Sequence, residues 1–430
     1  MPQATAAKTA EPVCIKFQSY NQTLYNYCKA LPKIELHAHL HGSVRETTLL
    51  HLLETQNTLD DDTRRLLLKN EERNLEDCFR MFKALHRAVQ SEAALRRIVK
   101  ECLDDFDAEN CVYLELRSTP RRLSADDVDE RGYVRIVLDE IEEWRSKHSA
   151  TRMSDDDVMD VRLLLSIDRS GTMEDGMRTV EMAHQYWWRA KESSDGDNSD
   201  PIVVGIDLGG NPTVGTGEFV SRFQPCLQRA RELGMPVSVH TAEVWHEQEL
   251  CDILKFWPDR IGHLVCISND LLQKHFLNKY DVSSSPQSSM PTIEICLTSN
   301  SKTRPELYDC HSLEKADNCP DGCALSKSEW PCDASFLPIC LCGFRQHPLA
   351  ELIRTSYPIC LCTDDRGVFQ NTLSDEYFKA AQAFHLSLDD LCDLAFRAIP
   401  GIFGRSPGLR ERIKGRMDRH IAKLEDDKTQ

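Results

Sequence analysis

The chain is 430 residues long, 41% hydrophobic and 28% charged, a balance that can bury a large core and excludes disorder throughout. Its formal net charge of −17 repels polyanions and no long Lys/Arg run offsets it, so no nucleic-acid partner is expected, while a small anion in a local basic pocket remains allowed. No run of eighteen apolar residues occurs, and residues 1–30 hold no continuous apolar stretch, so neither a membrane span nor secretion is expected and a cytoplasmic location is.

Short β-rich runs recur along the chain at 34–39, 112–116, 161–167, 203–208, 237–240, 261–264, 293–297 and 359–362. Between them lie segments with apolar residues three and four apart, such as 75–89, 133–144 and 219–233, which predict helices. The order is β-α repeated, as a parallel sheet requires, and eight strands fit a closed (β/α)8 TIM barrel of about residues 31–424 better than an open sheet. Residues 1–30, 191–200 and the tail from about 423 read as loops or frayed ends. Residues 307–345 read as an insertion before the last strand, carrying Cys310, His311, Cys319, Cys323, Cys332, Cys340 and Cys342 among polar residues. Most of the other cysteines sit singly in apolar runs, as Cys111, Cys296 and Cys360 do, and read as buried reduced thiols.

His37 and His39 alternate with apolar residues at the end of the first predicted strand, so both imidazoles project to one side of the sheet. His240 ends the fifth strand and Asp364 follows the eighth, both at the carboxyl edge where barrel enzymes place their chemistry. Three imidazoles with one carboxylate suit zinc or another first-row ion, one per chain, with a position left open for water. Capping of strand ends is the bland alternative for His240 and Asp364, and it does not explain why four such residues share one end of the barrel. Glu243, His263 and Asp365 stand beside these four. Each alone reads as a helix-start acid or a loop histidine; together they supply the parts of a metal-assisted hydrolysis.

Seven motifs in fixed order carry a resemblance: Leu-Pro-Lys-Ile-Glu-Leu-His-Ala-His-Leu (31–40), Tyr-Leu-Glu-Leu-Arg-Ser-Thr-Pro-Arg-Arg (113–122), Gly-Ile-Asp-Leu-Gly-Gly-Asn-Pro (205–212), His-Thr-Ala-Glu (240–243), Arg-Ile-Gly-His (260–263), Leu-Thr-Ser-Asn (297–300) and Cys-Thr-Asp-Asp-Arg-Gly-Val-Phe (362–369). On these the sequence resembles the adenosine and AMP deaminase family, in its adenosine deaminase-like branch that acts on N6-methyl-AMP. The resemblance implies that His37, His39, His240 and Asp364 bind zinc and that Glu243 protonates the purine ring nitrogen N1. It implies that His263 and Asp365 orient a zinc-bound hydroxide, which adds to C6 and releases methylamine to leave IMP. Gly210 would hold another ring nitrogen through its backbone N–H.

The branch is marked by the loop Ser118, Thr119, Pro120 and Arg121 with His86 and Asp168, which the resemblance assigns, along with His39, His41 and Asp365, to nucleotide binding. Arg121 and Arg122 beside hydroxyls suit a phosphate; a solvated surface pair is the bland alternative. Position 41 holds His where the branch carries Asn and adenosine-specific relatives carry a phosphate-repelling Asp. Asn211 where Asp is usual, and Leu264 where Gly is usual, are smaller departures. The expected partner is a small purine nucleoside monophosphate, and the chain is read as a monomer. A plain adenosine or AMP deaminase is the nearest alternative. A non-catalytic zinc- or partner-binding module on the Cys-rich insertion is the alternative from another class, although Cys319-x-x-x-Cys323 and Cys340-x-Cys342 match no familiar finger. The His-x-Glu and Pro-Cys-x-x-Cys signature of cytidine deaminases is absent.

Overall fold

Strands buried on both faces belong to a parallel sheet covered by helices, and each of the eight predicted runs forms such a strand. The computed structural model describes residues 22–69, 73–152, 157–189, 201–277, 290–308, 344, 347–404, 406 and 408–429. The strands are β1 (Lys33–His39), β2 (Cys111–Ser118), β3 (Asp160–Asp168), β4 (Val203–Gly209), β5 (Val237–Thr241), β6 (Arg260–His263), β7 (Thr292–Ile295) and β8 (Ile359–Leu361). They pair in parallel in sequential order. Past the end of β8, the His39 amide donates to the Asp364 carbonyl at 3.1 Å and the Asp364 amide to the His37 carbonyl at 3.0 Å. The sheet thereby closes on itself as a (β/α)8 barrel, and two of the closing residues are His39 and Asp364.

Three predicted strand ends overrun the observed ones, because the apolar run continues past the last paired residue of each strand. Leu264 lies past β6 with φ at +53°, Leu297 opens the helix Leu297–Thr303, and Cys362 follows β8. The 75–89 pattern becomes the helix Leu75–Ala88, its first turn capped by Asn74, and the 133–144 pattern lies inside the helix Glu130–Ser149, capped by Asp129. The 219–233 pattern divides into a π-helical turn, Phe219–Phe223, and an α-helix, Gln224–Glu232. Pro225 has no N–H for a regular helical bond to Ser221, so the chain enters the helix through a wider turn.

The described parts of the two terminal segments differ from the loop expectation. Gln22–Ala30 is a helix packed on the helix Leu373–Phe384, with Tyr25 edge-on to Phe378 at 5.7 Å and its hydroxyl donating to Asp375 at 3.1 Å. The tail lies in the helix Gly408–Thr429, whose Leu409, Ile413 and Met417 are buried and whose Arg416 donates to the Val112 carbonyl at 3.2 Å. Residues 1–21, the expected loop at 191–200 and the Cys-rich stretch 309–343 lie outside the described residues. Among the described residues the cysteines are free thiols, and no helix is long and apolar enough to cross a membrane.

The fully buried ammonium of Lys33 closes the end of the first helix, donating to the carbonyls of Cys28 at 2.6 Å, Leu31 at 2.7 Å and Lys29 at 3.1 Å. These carbonyls have no helical partner of their own, and a charged donor satisfies three at once. Lys33→Met should therefore lower stability by about 2–3 kcal/mol, the scale of hydrogen bonds to a charged group. Chemical unfolding would read this as an earlier midpoint, and an unmoved midpoint would contradict the cap.

Candidate active site

The mouth of the barrel is built from the ends of β1, β5 and β6 and the turn after β8. Two-residue alternation on β1 sends the His37 and His39 rings inward together. His37 Nδ1 lies 2.6 Å from Glu294 Oε2, while its Nε2 is buried without a hydrogen-bond partner, 3.5 Å from Asp364 Oδ1. His240 Nδ1 faces the Leu208 carbonyl at 2.9 Å and Asp207 Oδ1 at 3.1 Å. Its Nε2 lies 3.0 Å from His39 Nε2, which is itself 3.3 Å from Asp364 Oδ1. Acceptors on the outer nitrogens of His37 and His240 place the ring protons there, so their Nε2 lone pairs face the common centre. Three sets could each hold a metal ion: His37 with His240 and His263, His37 with Cys296 and Asp364, and His39 with Asp364 and Asp365, the donor atoms of each within 4.8 Å of one another. The donor chemistry and the orphaned His37 Nε2 fit a first-row divalent ion.

Beneath these rings runs a fully buried line of charge that the sequence pattern does not single out. Arg117 Nη1 meets Asp207 Oδ1 at 2.9 Å and its Nη2 meets Glu294 Oε2 at 2.9 Å. Arg260 Nε meets Glu294 Oε1 at 2.6 Å and its Nη1 meets Glu115. Burial alone would raise the carboxyl pKa values; Arg117, with Arg260 and His37 at Glu294 and with His240 at Asp207, holds both well below the usual range. Burial and Arg117 likewise oppose charge on the His37 ring, yet Glu294 and Asp364 raise its pKa, so the field at Nε2 favours positive charge. Two glycines let the rings approach the sheet: a Cβ on Gly262 would meet His37 Cε1 at 2.8 Å, and one on Gly209 would meet His240 Cε1 at 2.9 Å.

Around the centre the backbone is strained. Ala242, His263, Leu264 and Asp364 all have φ between 53° and 68°, a region that L-residues occupy only when the surroundings hold them there, as they do at active sites. Glu243 Oε2 lies 3.7 Å from His263 Nε2, and burial, opposed by His240 and reinforced by Asp364, pushes the Glu243 carboxyl up to about 7. Asp365 is buried with Oδ1 unpartnered; burial, Asp364 and Glu243 raise its pKa well above the carboxylate range. Burial keeps His263 neutral, its ring 4.8 Å from that of His37.

A second cluster flanks the first. Ser118 ends β2 with Oγ 2.7 Å from the Tyr133 hydroxyl, which lies 3.4 Å from His41 Nδ1. His41 Nε2 and Arg121 Nε are buried without partners, and the His41 and His86 rings meet edge-on at 5.6 Å. Burial, then Arg121, lowers the pKa values of both, that of His86 to about 3. Thr119 and Pro120 are half-buried beside them. Asp168 ends β3, accepting from the Ser170 amide and hydroxyl at 2.7 Å, with Gly210 pressed against its carboxylate. Arg122 does not join the cluster: it is exposed and paired with Asp127 at 2.7 Å. Sequence reasoning missed Tyr133, and it missed Arg169, which lines a small cleft with Glu243 and pairs with Glu249 at 2.8 Å.

The adenosine deaminase family profile matches residues 32–308 and 341–416. An N6-mAMP deaminase of Arabidopsis thaliana is 33% identical over 88% of this chain and 94% of its own length. An N6-methyl-AMP deaminase of Danio rerio is 32% identical over 93% of this chain and 96% of its own. The crystal structure of Arabidopsis ADAL complexed with IMP superposes with a TM-score of 0.70 at 32% identity, covering 93% of this chain and 99% of that one. With the family profile spanning most of the barrel and these relatives matching nearly end to end, the chain belongs to the adenosine deaminase family, in the branch of N6-methyl-AMP deaminase-like proteins, and is a hydrolytic deaminase acting on C–N bonds.

Proposed function

We propose that the enzyme is a zinc-dependent deaminase of N6-methyl-AMP, converting it with water to IMP and methylamine. The observation that carries the substrate reading is the pair of buried, unpartnered nitrogens, His41 Nε2 and Arg121 Nε, beside the converged histidines. Buried polar nitrogens without partners are costly unless a ligand meets them; Arg121 Nε is a donor, His41 Nε2 becomes one in its Nε2–H tautomer, and a 5′-phosphate offers the acceptors. Position 41 presents a ring in place of a carboxylate, which removes the repulsion that would select against a monophosphate. The IMP complex of the similar Arabidopsis protein agrees with this class of ligand.

His37, His39, His240 and Asp364 would hold one zinc, and Cys296, buried beside them, would stay outside the set. A bound zinc lowers the pKa of water toward neutrality. Glu243, with a carboxyl near 7, is matched to giving a proton to purine N1 at neutral pH, which makes C6 electrophilic. His263 and Asp365 would orient the incoming water; a bound divalent cation beside Asp365 would offset the burial and the neighbouring carboxyls that raise its pKa, and the carboxylate so formed would take the water's proton. The water oxygen bonds to C6, the proton held by Asp365 passes to the amine nitrogen as the C6–N6 bond breaks, and the proton left on the C6 hydroxyl returns to Glu243 as the 6-oxo group forms. Ser118, Thr119, Pro120, Arg121 and His86 would surround the phosphate, with Asp168 and the Gly210 backbone toward the nucleoside.

Product analysis with N6-methyl-AMP, AMP, adenosine and N6-methyladenosine tests this reading, and N6-methyl-AMP should be consumed fastest. Arg121→Ala should lower kcat/KM for the monophosphate by about 2–3 kcal/mol, the worth of a charged hydrogen bond, and barely touch the nucleoside. Equal losses on both would make Arg121 a support of the fold, and wild-type preference for a nucleoside would overturn the assignment. Glu243→Gln should retain zinc and IMP binding and lose kcat by roughly 10²–10⁴-fold. A variant with near-normal kcat would remove Glu243 from the proton transfer.

A further inference from the structure

His263 is a ring of two nitrogens, and which of them bears the proton decides whether it can offer a hydrogen bond to the site or only receive one. Tracing its outer nitrogen away from the site leads to two residues with no place in the chemistry so far. Asn300 sits on the helix Leu297–Thr303, whose first turn is pinned by Glu376: the Thr298 amide donates to that carboxylate at 3.0 Å and Asn371 Nδ2 at 2.9 Å. His347 lies just before the helix Leu349–Arg354. His263, Asn300 and His347 are each at most 2% exposed.

The direction of the chain of hydrogen bonds follows from its far end. A backbone N–H can only donate, and the Leu349 amide donates to His347 Nδ1 at 2.9 Å. Burial pushes His347 down to about 3, so the ring is neutral and its single proton sits on Nε2. That nitrogen lies 3.3 Å from Asn300 Oδ1, which must accept. The Asn300 amide is then turned with Nδ2 toward His263 Nδ1 at 3.1 Å; Nδ2 can only donate, so His263 Nδ1 accepts. The proton of His263 therefore rests on Nε2, the nitrogen facing Glu243 Oε2 at 3.7 Å.

We propose that Asn300 and His347 are positioning residues that lock His263 as the Nε2–H tautomer, so that it serves the reaction as a hydrogen-bond donor and not as a proton acceptor. A donor there fixes the oxygen of the incoming water, and leaves Asp365 as the group that takes the proton. The proposal rests on the deaminase reading for its consequence and on hydrogen-bond direction alone for its content.

Nitrogen NMR of the zinc-loaded enzyme labelled with ¹⁵N-histidine, with His263 assigned by comparison with His263→Gln, reads the tautomer directly. Nδ1 should appear unprotonated and Nε2 should show a directly bonded hydrogen; a hydrogen on Nδ1 overturns the proposal. Steady-state kinetics supply the second arm. His347→Ala should lower kcat on N6-methyl-AMP by roughly 10–100-fold, the usual effect of losing an outer-shell partner, with zinc content and the Kd for IMP unchanged. His347→Gln should recover most of the loss, because its amide offers an acceptor to Leu349 and a donor to Asn300. Wild-type kcat in His347→Ala, or no recovery by Gln, overturns the relay. Should the Ala variant fail to fold, the wild-type spectrum decides alone. That spectrum is indifferent to substrate, so an enzyme that ignores N6-methyl-AMP but shows Nε2–H would sink the substrate reading and leave the relay standing.

Discussion

Arg117 is the hinge of the electrostatics: one guanidinium, fully buried in the barrel, grips Asp207 with one nitrogen and Glu294 with another. Those two carboxylates face the outer nitrogens of His240 and His37, so a single planar fork sets the orientation of two rings that come from β5 and β1. A desolvated carboxylate left without its cation costs several kcal/mol, and the planar guanidinium matches two acceptors at once as an ammonium cannot.

Fold and site are therefore not separable. The hydrogen bonds that close the barrel run between His37, His39 and Asp364, so the closure of the sheet is also what brings the β1 histidines to the carboxylate. The left-handed backbone at Ala242, His263 and Asp364 turns side chains across the mouth that a regular strand would send alternately in and out. Such strain persists only where the surroundings over-determine it, and here the buried ion pairs below and the closing bonds at the rim supply that constraint.

The strands, the barrel and the histidines were legible because each rests on a local pattern: apolar runs for parallel strands, and two-residue alternation for His37 and His39. Glu294, Asp207 and Arg117 were illegible on the same grounds. A charged residue inside an apolar strand looks like an interruption until its partner is known, and the partner of Glu294 is His37, 257 residues away in the chain. Arg121 and Arg122 looked equivalent in sequence; one packs beside His41 and the other pairs with Asp127 on the surface, a choice made by the loop's path. The helix Gln22–Ala30 is not legible because its polar residues hide a face held by Tyr25 and Cys28, and its closure depends on Lys33, which lies just outside the predicted strand 34–39 and opens the observed one.

Arg117→Lys tests the central claim most directly, because it keeps the charge and removes only the fork. If Arg117 sets the ring orientations through its two carboxylates, zinc affinity measured by competition with a chelator should weaken by roughly 10–100-fold while the protein remains folded. Zinc bound as tightly as in the wild type would contradict the claim, showing that the charge of the buried network suffices and that its geometry does not matter.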